Sequence, residues 1–176
     1  LQLSTRDADW VVDALALRDA IGPALGGVLG DPGVVKVLHG ADSDVLWLQR
    51  DFGVSGFLFY VFFLKESGRH SARRAHTLHA NTPNHIETNQ QIYLVNLFDT
   101  GQAARVLRYP SAGLAHMLAR HAGFAADKRF QLADWRLRPL SPEMLHYARC
   151  DTHALLHVWD VLRAELAAAG DDVPPS

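Results

Sequence analysis

The stretch VVKVLHGADSDVLWLQRDFG, residues 34–53, reads as a strand, a turn and a helix. Val34 to His39 is β-branched and apolar, the pattern of a strand buried on both faces. Gly40 lets the backbone turn. Ala41 to Asp51 predicts a helix, with Asp42 as candidate N-cap and Leu46, Trp47 and Leu48 inside. Upstream, Leu1 and Leu3, a polar turn from Ser4 to Asp9, and Trp10 to Val12 predict a hairpin. Arg18 to Leu29 predicts a helix weakened by Gly22, Pro23, Gly26 and Gly27, and Asp31-Pro32-Gly33 is a turn. Downstream, Tyr93 to Phe98 predicts a strand, and Asp99-Thr100 caps a helix from Gly101 to Leu107. A further helix spans Leu114 to Ala122. The last helix opens at Ser141-Pro142-Glu143, a cap, a first-turn proline and an acid near the dipole, and runs to about Ala169. Strands alternating with helices indicate an α/β fold.

The 176 residues suit one domain. With 48% hydrophobic and 20% charged residues, the chain is a packed globule, not a disordered or disulfide-built one. A net charge of −2 argues against a uniformly basic nucleic-acid coat, but not against an enzyme that grips nucleic acid locally. Cys150 is the one cysteine, which forbids an internal disulfide and suits a reducing compartment. The longest apolar run, Phe57 to Leu64, falls far short of the ~20 residues that cross a bilayer, so no membrane partner is expected.

Two places carry chemistry. Tyr147 and Asp151 stand four apart on the last helix and share a face. Asp44 follows a buried strand, at the strand-to-helix junction where α/β sheets bind ligands. Two such carboxylates can supply oxygen ligands to Mg²⁺ or Mn²⁺. Spacing alone leaves open that Asp44 caps its helix and that Tyr147 and Asp151 merely pack.

Three strings go further: the opening stretch, YLVNLFDTGQAARVL (93–107) and DKRFQLADWRLRPLSPEMLHYARCDTHALL (127–156). In this order they closely resemble the RNase D-like 3′–5′ exonucleases, above all the eukaryotic branch associated with the nuclear RNA exosome. The resemblance implies a ribonuclease-H-like fold, a mixed sheet flanked by helices, and an exonuclease of the DEDD superfamily, tyrosine subgroup. In that family four carboxylates hold two divalent metal ions, Mg²⁺ or Mn²⁺. The third falls on Asp44 and the fourth on Asp151, with the subgroup's tyrosine at Tyr147. The implied reaction releases nucleoside 5′-monophosphates from RNA 3′ ends. The implied partners are single-stranded RNA 3′ ends and the exosome core with its cofactors. The implied setting is the nucleus, nucleolus included, in ribosomal RNA precursor processing. Trp47 is either a base-stacking residue or a core tryptophan. Lys128, Arg136 and Arg138 around Trp135 either contact phosphates or belong to a structural loop with the arginines paired to Asp134 or Glu143. Asp99 also matches a family position, where helix capping is the expected role.

The sequence departs from the family twice. No D-x-E motif is present; the opening residues match the second and third strands, which implies a first strand upstream of Leu1. Asp7, Asp9 and Asp13 are no substitutes. An inactive RNA-binding fragment is therefore the rival reading, and a DNA-directed exonuclease of the same superfamily a second. The other departure is an excess from Val54 to Gln91, an apolar, then basic, then polar run. It reads as an insertion, either a translated intron, since every valine codon begins with GT and Gln91 permits CAG, or a genuine loop insertion. Its His70, His76, His79 and His85 lack a recognised zinc spacing.

Overall fold

The computed structural model describes residues 1–55, 92–123 and 127–171. The hairpin forms as the polar turn requires: β1 (Gln2–Ser4) pairs antiparallel with β2 (Asp9–Val11), Leu3 opposite Trp10. The Thr5 hydroxyl closes the turn by accepting from the amides of Asp7 and Ala8. Helix α1 (Arg18–Gly30) forms despite Pro23, held by the buried Ile21 and Gly22. β3 (Lys36–Leu38) leads into α2 (Asp42–Phe52), which ends at Gly53 with φ +67°, a left-handed stop that suits glycine. β4 (Val54–Ser55) and β5 (Ile92–Tyr93) make a short parallel pair. β6 (Leu97–Asp99) runs parallel to β3, Lys36 opposite Leu97 and Leu38 opposite Asp99. Then come α3 (Thr100–Val106), α4 (Leu114–Met117) with a π turn (Leu118–Ala122), a 3₁₀ turn (Lys128–Leu132) and the long α5 (Pro142–Asp171).

Helix α5 is the spine. Its Leu155, Val158 and Leu162 bury against Ala103 and Ala104 of α3 and Met117 and Leu118 beyond it. It also packs on β1, β2 and β3. The hairpin is fastened to it by Ser4 donating to Thr152 at 2.8 Å, by Arg6 on Asp160 and by His153 on Asp9. Among the described residues the hairpin and the β3–β6 pair both lie on α5 yet are not hydrogen-bonded to each other. No helix among those residues is long and apolar enough to cross a membrane.

Three local expectations change. The strand from Val34 is not buried throughout: Val34 and Val35 are exposed, and pairing starts at Lys36. The Lys36 ammonium there folds back onto the carbonyls of Asp31 and Val34, at 2.6 and 2.8 Å. The strand expected from Tyr93 to Phe98 is two. Asn96 breaks it with φ +52°, its side chain donating to the Pro32 carbonyl and its own carbonyl accepting from Lys36. Leu46 and Trp47 do not face inward; they are 62% and 53% exposed, because among the described residues α2 leans chiefly on α1 and the short β4. The run 56–91, with its four histidines, lies outside the described residues.

Candidate active site

The parallel pair β3–β6 brings two helix starts side by side at its carboxyl end, and one side chain joins them. Asp99 accepts from Gly101 at 2.8 Å and Gln102 at 3.3 Å, capping α3 as expected. It also accepts from the amides of Gly40 at 2.9 Å and Ala41 at 2.8 Å, at the start of α2. Asp42, expected to cap α2, makes no such bond; Ala41 holds the cap position and Asp99 supplies the acceptor from the neighbouring strand. Gly101 suits this close approach, since a Cβ would lie 3.2 Å from the Asp99 carboxylate and 3.3 Å from the Gly40 nitrogen, tighter than ordinary contact. Thr100 donates to the Leu38 carbonyl, so its oxygen is left to accept from His39 Nδ1 at 3.0 Å. Burial holds His39 below its ordinary pKa, which keeps it neutral.

Asp44 lies in the first turn of α2, behind this knot. Its carboxyl is half-buried and pushed up, first by burial and then by the neighbouring Asp99 charge. Trp47 follows one turn later; at 53% exposed it is not a core tryptophan.

On α5 the structure brings Tyr147 and Asp151 together directly. Burial pushes the Asp151 carboxyl up, and a hydrogen bond from the Tyr147 hydroxyl offsets part of that. Asp151 Oδ1 is buried and has no hydrogen-bond partner among the described residues. Tyr147 itself is 8% exposed, covered by the rings of Phe130 at 5.3 Å and Trp135 at 6.2 Å. Sequence reasoning missed this cover; the aromatic residues ahead of the helix were its one signal. Beside Tyr147 opens a cavity of about 470 Å³ lined by Phe130, Glu143 and His146 among others.

The loop arginines engage carboxylates of the chain. Arg136 pairs with Asp134 at 2.8 Å, and Arg138 reaches Asp13 through both Nε and a terminal nitrogen, at 2.5 and 2.6 Å. Arg138 therefore pairs with the end of the hairpin and not with Glu143. Lys128 opens the 3₁₀ turn; its side chain lies outside the described residues.

A divalent cation suits the donors in kind. Asp44 and Asp151 are hard oxygen acceptors that burial penalises when ionised, and among the described residues Asp151 Oδ1 has no hydrogen-bond donor. They fall short in number: among the described residues no group of three or more His, Cys, Asp or Glu is placed to hold a metal ion.

A family model described as 3′–5′ exonuclease matches residues 1–60 and 78–167. The chain belongs to the 3′–5′ exonuclease family. Exosome complex component 10 from Rattus norvegicus is 41% identical over 99% of this chain, and Protein RRP6-like 1 from Arabidopsis thaliana 42% identical over 94%. The chain spans 15% and 20% of those relatives. The catalytic core of RRP6 from Trypanosoma brucei superposes with a TM-score of 0.71 at 35% identity, covering 96% of this chain and 36% of that one. The fold is thus the ribonuclease-H-like fold of these exonuclease domains.

Proposed function

We propose that this chain is catalytic-domain sequence of a 3′–5′ exoribonuclease that removes nucleoside 5′-monophosphates from RNA 3′ ends. Water attacks the terminal phosphorus, the bond to the 3′ oxygen breaks, and that oxygen leaves with a proton. Tyr147 orients the attacking water, because a phenol both donates and accepts. Asp44 and Asp151 are two of the ligands to a pair of divalent ions, Mg²⁺ or Mn²⁺; when bound, such ions activate water and neutralise developing charge. Trp47, exposed one turn beyond Asp44, offers a face for the terminal base. Lys128, Arg136 and Arg138 are the proposed phosphate-side residues; the two arginines must exchange their carboxylates for phosphate. Relatives named as exosome components support an exosome partner; a nuclear and nucleolar setting and ribosomal RNA precursors as substrates belong to the same proposal.

The observation that carries the reading is the Tyr147 hydroxyl bonded to a half-buried carboxylate whose other oxygen has no partner among the described residues. Incubating the chain with a 5′-labelled oligoribonucleotide and Mg²⁺ or Mn²⁺ tests it. A ladder shortened from the 3′ end, faster than on the matching DNA, supports it; binding without shortening favours an RNA-binding fragment, a reading motivated by the short donor count.

Residues 54–91 are proposed as an addition to the family fold, carried in by a retained intron. The family model passes over 61–77 within them, and Val54 and Ser55 still pair with β5. Transcript reads of only the continuous form reject the intron.

A further inference from the structure

We propose that Phe130 and Trp135 form an aromatic clamp that selects the rotamer of Tyr147 and so aims its hydroxyl at Asp151. They are positioning residues, and their catalytic consequence rests on the proposed function above. A tyrosine on a helix has two accessible χ1 wells, and the backbone of α5 does not choose between them. The two rings do choose. Phe130 meets Tyr147 at 5.3 Å and 41°, Trp135 at 6.2 Å and 39°, both tilted contacts.

The clamp is built as one unit. Trp135 Nε1 donates to the Phe130 carbonyl at 3.0 Å, tying the two ring-bearing residues together across the loop. The same carbonyl accepts from the Ala133 amide. Each flank is closed by an aspartate. Asp127 accepts from the Arg129 amide ahead of Phe130, and Asp134 from the Arg136 amide behind Trp135, both at 3.0 Å. The loop is thus fixed by its own bonds and can impose a ring position on α5. Misplacing a reacting group by about 1 Å costs on the order of 100-fold in rate, so a released ring costs turnover and not RNA affinity.

The test measures the Tyr147 χ1 populations in the full chain from three-bond couplings to Cγ, with the signals assigned by their loss in Tyr147→Phe. One rotamer is expected in the wild type. Averaging is expected in Phe130→Ala and Trp135→Ala, with a single rotamer restored by Phe130→Tyr, which keeps the ring. In cleavage, Trp135→Ala is expected to lower kcat about tenfold with KM for RNA unchanged. Unaltered couplings in both alanine variants overturn the clamp, as does a rise in KM that matches the fall in kcat. If the wild type leaves RNA intact while the couplings change as expected, the exonuclease reading fails and the clamp stands. Thermal melts of Phe130→Leu, which fills the space without a ring, separate unfolding from lost aim: a folded variant with averaged couplings supports the clamp.

Discussion

Replacing Asp99 with alanine removes four backbone hydrogen bonds at once, two at the start of α3 and two at the start of α2. The loss divides in two. A lost N-cap costs about 1 kcal/mol. The bonds to Gly40 and Ala41 are made by a charged group, nominally about 1.5–3 kcal/mol each, but Gly40 is exposed and water replaces much of that, so about 2 kcal/mol is the working figure for both. Asp99→Ala should therefore destabilise by about 3 kcal/mol. Asp99→Asn can keep its carbonyl oxygen in the Oδ1 position, where Gly40, Gly101 and Gln102 all donate, and loses only the Ala41 bond at Oδ2, so less than half of that loss is expected. Urea unfolding at neutral pH, followed by circular dichroism, gives the total. Amide hydrogen exchange gives the division: Gly40, Ala41, Gly101 and Gln102 should all speed up. A loss below about 1 kcal/mol, or faster exchange at Gly101 and Gln102 alone, refutes the cross-strand tie and leaves only a cap.

Asp151→Asn should abolish any cleavage, and Tyr147→Phe should slow it at least tenfold while RNA binding stays nearly intact, since only water placement is lost; gel shifts beside turnover assays check both. Burial raises the folded-state carboxyls of Asp44 and Asp151 above 3.8, so both take up protons more readily folded than unfolded, and stability rises as pH falls through their raised values. The variant Asp151→Asn should thus be more stable than wild type at neutral pH, with the gap narrowing toward pH 4 in denaturant titrations. Asp134 has the opposite sign: Arg136 holds it at about 2, so its contribution is present above 3.8 and fades between 3.8 and about 2. Trp47→Ala, at a site 53% exposed, should leave stability within about 0.5 kcal/mol and weaken RNA binding, read by melts and by fluorescence titration.

The hairpin, α2, α3 and α5 were legible because each carries its own local signal: a polar turn, a strand-to-helix glycine, an Asp-Thr cap, a Ser-Pro-Glu start. The shared face of Tyr147 and Asp151 was legible because residues four apart on a helix lie on one side. What escaped was set by contacts distant in sequence. The Asp99 carboxylate reaches back 58 and 59 residues to Ala41 and Gly40, so no window centred on α2 reveals its acceptor. The break at Asn96 depends on Pro32 and Lys36, on another element. Trp47 looked internal by its apolar neighbours, but among the described residues α2 packs chiefly on α1 and β4 and leaves it exposed. Phe130 and Trp135 sit in a loop with no period, and only the fold lays them on Tyr147.

The central claim is that Asp44 and Asp151, far apart in the chain, serve one metal-binding centre beside Tyr147. Titrating Mn²⁺ into the isotopically labelled chain and following paramagnetic broadening of the amides around both residues tests it most directly. The account predicts that both sets fade together with one apparent Kd, and that Asp151→Asn weakens both. Broadening at neither site, or at the two with unrelated affinities, contradicts it.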